Sequence, residues 1–138
     1  MTVNPDKLAN RHKIVVGIDD DIDQLILLQT HLDAEGYTFF GANSGAQGLL
    51  LLERAEPRLI ILDVAMPGMD GFETCRRIRA GHGLARVPIL LLTARRTEAD
   101  LRQAKEVGAN DFIIKPFDAV KLAKRVHYWV NRRVGVAT

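Results

Sequence analysis

The sequence is poor in cysteine, in aromatic residues and in net charge. Cys75 is its one cysteine among 138 residues, so an intramolecular disulfide is excluded and a reducing cytoplasm is favoured. No apolar run approaches the roughly 20 residues of a transmembrane helix, and the first residues lack the apolar segment of a signal peptide. The formal net charge of +2 is too small to argue for binding of nucleic acid or a membrane. We therefore expect a cytoplasmic protein without direct membrane or nucleic-acid contact.

What the sequence does contain is typical of one globular domain. Apolar residues make up 47% of the chain and charged residues 26%, which is enough to bury a sizeable core. The polar start and the short end of the chain lack a clear pattern. We predict a flexible N-terminal segment over 1–12, a folded domain over 13–133 and a C-terminal tail over 134–138.

Apolar runs alternate with helical patterns along the whole folded domain. Five short runs predict strands: Ile14–Ile18, Tyr37–Phe40, Leu59–Leu62, Ile89–Leu92 and Phe112–Ile114. A capping residue opens the predicted helix after each strand: Asp21, Ser44, Asp70, Thr97 and Asp118. Such alternation predicts a doubly wound α/β domain, in which a five-stranded parallel sheet carries five helices on its two faces.

Reactive side chains follow four of the five predicted strands. Asp19 and Asp20 follow the first strand and Asp63 the third, while Thr93 and Lys115 follow the fourth and fifth. In the strand order 2-1-3-4-5, the strand without such a residue lies at the outer edge. Because ligands of these sheets bind beyond the carboxyl ends of the strands, we expect the five side chains to converge in one crevice.

The chemistry of this set points to phosphoryl transfer. Carboxylates that share a crevice repel one another unless a cation intervenes, and their hard oxygens suit Mg²⁺ (or Mn²⁺). A carboxylate such as Asp63 can act as a nucleophile, while Lys115 and Thr93 offer positive charge and a hydroxyl to a phosphoryl group. Each residue taken alone also has an ordinary interpretation as a helix cap or a strand-end residue.

Four sequence blocks together identify a family. The blocks IDDD, LIILDVAMPGMDG, ILLLTA and GANDFIIKPF, with their spacings, resemble the receiver domain of two-component response regulators, over about residues 13–133. The resemblance implies a flavodoxin-like fold with phosphorylation at Asp63. It implies a metal site made by Asp20, Asp63 and the backbone carbonyl of Ala65, with help from Asp19. It also implies contacts of Thr93 and Lys115 with the phosphoryl group, and a cis peptide bond between Lys115 and Pro116.

The resemblance further implies partners and a switch. The phosphoryl donor would be a sensor histidine kinase or a phosphotransfer protein. Thr93 and the aromatic Phe112 would act as switch residues that alter the surface formed by the fourth helix, fifth strand and fifth helix. That surface would serve a homodimer, a downstream effector or a covalently attached output domain, with Tyr128, Trp129 and nearby arginines as contact residues.

Two other functions remain open from the residues. The first is an aspartate-nucleophile phosphatase acting on small molecules, an enzyme class that usually has a second aspartate close after the nucleophile. Val64 and Ala65 stand there instead. The second is a nucleotide- or flavin-binding module, which needs a glycine-rich phosphate loop after the first strand, where this sequence has three aspartates. We therefore expect a signalling module that catalyses its own phosphorylation and dephosphorylation, not a turnover enzyme.

Several positions depart from the usual family pattern without touching the site. Gly17 replaces a branched apolar residue inside the first strand, and Ile22 stands where proline is frequent.

Arg95, two residues after Thr93, would flank the path of the hydrolytic water and could shield the phosphoryl group. With the apolar Ala65 on the other side, we expect slow autodephosphorylation.

Overall fold

The structure, a computed structural model, describes residues 10, 12–81 and 84–132. Within them five strands alternate with five helices. The strands are β1 Ile14–Ile18, β2 Thr38–Ala42, β3 Leu59–Asp63, β4 Ile89–Thr93 and β5 Asp111–Ile114. The helices are α1 Ile22–Ala34, α2 Gly45–Leu52, α3 Gly71–Gly81, α4 Glu98–Glu106 and α5 Ala119–Val130. None of these helices is long and apolar enough to cross a membrane.

The strands form one parallel sheet in the predicted order β2-β1-β3-β4-β5. Every residue of β3 and β4 is buried, because both faces of the sheet are covered. Alternate residues of β3 point into two separate cores. Leu59 and Ile61 pack with α1 and α5, whereas Ile60 and Leu62 pack with α2, α3 and α4. The predicted doubly wound, flavodoxin-like architecture is confirmed.

β1 runs over the predicted residues, Ile14–Ile18, and the boundaries of the other four strands differ from the sequence predictions by one or two residues. Residues 37–40 were predicted as β2, but the strand runs over Thr38–Ala42, since Thr38 pairs with Ile14 and Ala42 with Ile18. Pairing with β4 likewise starts β5 one residue early, at Asp111. β3 and β4 each extend by one residue, so Asp63 and Thr93 are the last residues of strands and are fixed by the sheet itself.

The helices begin at the predicted caps. Side-chain oxygens of all five cap residues accept a backbone N–H from the first turn: Asp21, Ser44, Asp70, Thr97 and Asp118. Such bonds satisfy backbone donors that have no partner within the helix.

Cys75 lies fully buried in the core beside α4, and burial raises the pKa of its thiol to about 11. It therefore serves as a small core residue, as its spacing in α3 indicates.

The unusual glycine in β1 is explained by a neighbouring ring. A Cβ atom at Gly17 would lie 2.6 Å from Cζ of Phe39, which reaches across from β2. The phenyl ring thus fills the space that a branched side chain would take. At Gly17 the ring of Phe39 replaces the missing side chain in the packing between β1 and β2. This departure from the family pattern therefore concerns stability and does not touch the site.

The predicted terminal segments are described only in part. Of the segment 1–12, the described residues are Asn10 and His12. Asn10 is buried, and its side-chain amide donates to the backbone carbonyl of Glu35 over 2.9 Å. The predicted tail over 134–138 lies outside the described residues.

Gly71 allows α3 to begin directly against the end of β3. A Cβ atom there would lie 2.2 Å from the backbone oxygen of Asp63 and 2.7 Å from Cα of Val64. Backbone atoms cannot yield as a flexible side chain can. We expect Gly71→Ala to lower the free energy of unfolding by about 1–3 kcal/mol, as measured by urea unfolding.

The matched control is Gly81→Ala, at the last residue of the same helix. A Cβ atom at Gly81 meets nothing within 4 Å. That variant should be neutral or gain up to about 1 kcal/mol from helix propensity. Equal effects of the two substitutions would contradict the steric explanation.

Candidate functional site

Three carboxylates meet at the carboxyl end of the sheet. Asp63 ends β3, and Asp19 and Asp20 follow the adjacent strand β1. One side-chain oxygen from each residue lies within 4.8 Å of the others. Asp19 and Asp63 are only 1% and 5% exposed, whereas Asp20 is exposed. The strand pairing therefore brings together the acidic residues that the sequence predicted to converge.

Lys115 brings positive charge to this cluster. It follows β5, and its ammonium group donates to Oδ1 of Asp63 over 2.9 Å and approaches Oδ2 of Asp19 at 3.4 Å. The peptide bond between Lys115 and Pro116 is cis, as the family resemblance implied. The ammonium group thus contacts two of the three acidic groups, and when all three are ionised the cluster carries an excess of negative charge.

The environment shifts the pKa values of the ion pair. Burial raises the pKa of Asp63, and the charge of Asp20 adds to this rise, while the hydrogen bond and charge of Lys115 oppose it. Burial also raises the pKa of Asp19, against a backbone hydrogen bond from Asp21. Burial alone would lower the pKa of Lys115, but its bond to Asp63 and the charges of both buried aspartates raise it. The lysine is held as a cation, and ionised carboxylates are costly here.

The donor set fits a hard divalent cation. Buried carboxylates whose ionisation is disfavoured gain most when a cation neutralises them. Carboxylate oxygens are ligands that Mg²⁺ accepts, and an open side with water and a phosphate is usual for this ion. Asp19, Asp20 and Asp63 could hold it in this arrangement. Ala65 lies exposed in the loop after β3, and its carbonyl as a ligand stays a prediction.

Thr93 is buried at the end of β4, but its hydroxyl turns towards the following loop. Its Oγ1 accepts the backbone N–H of Arg95 over 2.8 Å and lies 3.3 Å from the backbone oxygen of the same residue. The structure therefore places Thr93 at the predicted end of the sheet. Its hydroxyl is engaged by Arg95, and contact with a phosphoryl group stays a prediction.

Phe112 lies opposite Leu91 in the sheet and is partly buried. Its ring borders a small recess between the sheet and α4, which Thr93, Leu101 and Ala104 also line. The structure thus brings the two predicted switch residues to one recess.

Two sets of contacts, one in the loop after β4 and one at the start of β5, have no signal in the sequence. Arg95 places its guanidinium against Asp100 and the ring of Phe72, whereas the sequence predicted a role for it beside the phosphoryl group. On the other side of β5, Asp111 accepts hydrogen bonds from Arg125 over 2.7 Å and from the indole of Trp129 over 2.8 Å. Arg95 and Asp100 are five positions apart and the other partners 14 or more, and no motif links them.

Some of the residues predicted to contact a partner are therefore engaged within the domain. Arg125 and Trp129 both bind the carboxylate of Asp111. Tyr128 is 50% exposed, and the guanidinium of Arg132 lies over the rings of both Tyr128 and Trp129. At the end of α5 the domain therefore exposes a tyrosine with Arg132, from just beyond the helix, stacked on it.

The raised pKa of Asp63 predicts a pH-dependent stability change. In metal-free buffer an ionised Asp63 costs the folded state free energy. The cost is absent well below pH 3.8, the usual pKa of the group, and grows as the pH rises through the raised pKa of the folded state. Asp63→Asn cannot ionise, so its gain in melting temperature over the parent should increase from acidic to neutral pH.

Thermal unfolding at a series of pH values measures this difference. Asp33→Asn, at an exposed position of α1, is the control and should show no such increase. A melting temperature of Asp63→Asn below that of the parent at neutral pH would mean that the pair with Lys115 outweighs the burial of the charge.

The sequence of this chain is similar to that of known proteins. Residues 15–127 match the family described as the response regulator receiver domain. Transcriptional regulatory protein AfsQ1 of Streptomyces coelicolor is 42% identical over 115 residues, which cover 83% of this chain and 50% of that protein. A probable transcriptional regulator, ycf27 of Cyanophora paradoxa, is 35% identical over 123 residues, covering 89% of this chain and 50% of that protein. The chain spans about half the length of these curated relatives.

Solved structures agree with the fold. Chemotaxis protein CheY4 of Vibrio cholerae superimposes with a TM-score of 0.81 and 31% identity, covering 84% of this chain and 97% of that one. The receiver domain of sensor histidine kinase PA1611 from Pseudomonas aeruginosa has a TM-score of 0.80 and 28% identity, covering 87% and 98%. That structure holds a magnesium ion in its active site cleft. By sequence and by fold, the chain belongs to the response regulator receiver domain family of two-component signalling systems.

Proposed function

We propose that this chain is a phospho-acceptor module, in which Asp63 takes a phosphoryl group from a sensor histidine kinase or a phosphotransfer protein. The observation that carries the proposal is the contact of 2.9 Å between Asp63 and Lys115, beside the carboxylates of Asp19 and Asp20 at one end of the sheet. A nucleophilic carboxylate, a fixed cation and a metal-binding acidic pair are the parts that phosphoryl transfer requires.

The transfer step uses few groups of the protein. An oxygen of Asp63 attacks the phosphorus of a phosphohistidine as the P–N bond breaks, and the departing imidazole takes up a proton from water. Lys115 already contacts Asp63 and would follow the charge onto the phosphoryl oxygens. Asp19 and Asp20 would hold Mg²⁺ or Mn²⁺ with Asp63. When bound, the metal supplies positive charge to the phosphoryl oxygens.

The signal would leave the site through Thr93 and Phe112. A phosphoryl group adds negative charge and strong acceptor oxygens, to which the hydroxyl of Thr93 would turn. Phe112 borders the recess beside Thr93 and would move into the vacated space. The altered surface would be that of α4, β5 and α5, and it would serve a homodimer, a separate effector or an attached output domain. Matched relatives named as transcriptional regulators support an attached output of this kind. We propose that the protein acts in the cytoplasm.

A small-molecule phosphatase is the weaker alternative. The residue two places after Asp63 is Ala65, which cannot act as a general acid. No described structural feature supplies a replacement acid at that position. Steady release of inorganic phosphate from small phosphate esters, at many turnovers per protein, would favour the phosphatase.

The test of the proposal is phosphorylation by acetyl phosphate with Mg²⁺. Intact-protein mass spectrometry should show one phosphoryl adduct that is stable in acid and labile in base, as expected of an acyl phosphate. Asp63→Asn should lose the adduct, whereas the control Asp33→Asn, at an exposed position, should keep it. An adduct undiminished in Asp63→Asn would remove Asp63 from the role of acceptor.

The same phosphorylated sample tests the route of the signal. NMR chemical-shift changes should extend from the site to α4, β5 and α5. Changes confined to the loops around Asp63 would leave the acceptor role intact and reject the switch through Phe112.

Metal binding is tested by thermal stability. Mg²⁺ should stabilise the parent by about 1–3 kcal/mol at saturation, because it binds the folded carboxylates and relieves their repulsion. Asp20→Ala should lose most of this gain, as measured by melting temperature against Mg²⁺ concentration. Asp23→Ala, in the first turn of α1, is the control, since Asp23 lies outside the cluster of Asp19, Asp20 and Asp63. An equal loss of Mg²⁺ stabilisation in both variants would mean that Mg²⁺ binds only to the general negative charge at the start of α1.

A further inference from the structure

The side chain of Arg95 joins two helices across the loop that follows β4. Its guanidinium lies 5.6 Å from the centre of the Phe72 ring on α3 and pairs with Oδ1 of Asp100 on α4 over 3.3 Å. The side chain of Arg95 is 49% exposed, whereas that of Asp100 is 14% exposed. The guanidinium of Arg95 therefore contacts the face of the Phe72 ring and the largely buried carboxylate of Asp100.

Asp100 cannot follow Arg95 freely, because its other oxygen is committed. Oδ2 accepts the hydroxyl of Thr97 over 2.7 Å and the backbone N–H of Thr97 over 3.2 Å. The hydroxyl of Thr97 in turn accepts the backbone N–H of Asp100 over 3.1 Å. This capping box fixes Asp100 in the first turn of α4, so the ion pair fixes Arg95 to that helix.

The other anchor is equally rigid. Phe72 is 3% exposed and follows Gly71, which lies so close to the end of β3 that an added Cβ atom would be 2.2 Å from the backbone oxygen of Asp63. The stacked ring therefore belongs to the segment that leaves the phospho-acceptor. Arg95 is tied to both neighbours of the site, the start of α3 and the start of α4.

The backbone of Arg95 holds the hydroxyl of Thr93. Its N–H donates to Oγ1 of Thr93 over 2.8 Å, and its carbonyl lies 3.3 Å from the same oxygen. Turning Thr93 towards Asp63 requires these contacts to break. The anchors of the Arg95 side chain hold its backbone, and hence Thr93, in the present position.

We propose that Arg95, through Asp100 and Phe72, is a clamp that holds Thr93 away from Asp63 in the resting protein and slows phosphorylation. This inference rests on the proposed function and assigns a regulatory device to the same site. Arg95 is a positioning residue, since it acts through Thr93. Loosening the clamp frees the hydroxyl of Thr93 from the backbone of Arg95, and this favours the phosphorylated arrangement.

The experiment compares the parent with Arg95→Ala, Asp100→Asn and the double variant. Asp100→Asn removes the charge opposite Arg95 but keeps an oxygen for the capping box. The controls are Arg96→Ala and Glu98→Gln, which change exposed charges in the same segment. The first measurement is the initial rate of phosphorylation by acetyl phosphate with Mg²⁺. The second is the chemical shift of the Thr93 amide and methyl groups without any phosphoryl group.

The clamp predicts faster phosphorylation in both single variants, by about 1.5- to 5-fold, the range expected for loss of one partly exposed ion pair. The double variant should be no faster than the faster single variant, because both changes open one clamp. Shifts of Thr93 should move part of the way towards those of the parent bound to beryllofluoride, which imitates a phosphoryl group. The controls should match the parent in both measurements.

Three results overturn the clamp while leaving the proposed function intact. The first is a rate of phosphorylation in the single variants equal to that of the controls. The second is a rate below that of the parent, which would mean that Arg95 contacts the phosphoryl group. The third is additive effects of the two substitutions in the double variant. If the parent itself gains no phosphoryl group, the proposed function fails, and the clamp fails with it.

Discussion

The site depends on the excess of negative charge at the carboxyl end of the sheet. Asp19 and Asp63 are buried side by side with Lys115 as their cation, and Asp20 adds a further carboxylate at the rim. Burial works against ionisation of these groups, as the raised pKa values of Asp19 and Asp63 show. A domain that keeps such groups gives up stability, which fits the proposed binding of a cation and a phosphoryl group, and the buried hydrophobic sheet beneath holds the groups in place.

The fold and the core of the site could be predicted because they follow from local patterns. Buried strands, capping residues and the alternation of elements specify the parallel sheet, and the sheet then gathers whatever follows β1, β3 and β5. Asp19, Asp63 and Lys115 come together for that reason. The boundaries of β2 and β5 were missed by one or two residues, because pairing with neighbouring strands decides them and apolar runs do not mark it.

What the sequence could not predict are contacts between side chains on different elements. The ion pair of Arg95 with Asp100 depends on the exact path of a loop, and a charged residue in that loop is equally consistent with a free, solvated side chain. The rotation of the Thr93 hydroxyl towards Arg95 is likewise a matter of one side-chain torsion. Motifs locate such residues but do not specify the direction in which they point.

The bond between Trp129 and Asp111 gives the domain an internal optical reporter. Trp129 is the sole tryptophan of the chain, and its indole donates to a carboxylate at the start of β5, one residue before Phe112. An indole that exchanges a carboxylate for water changes its emission. The fluorescence of the unlabelled protein therefore reads the junction of β5 and α5 directly, at a point remote from the chemistry at Asp63.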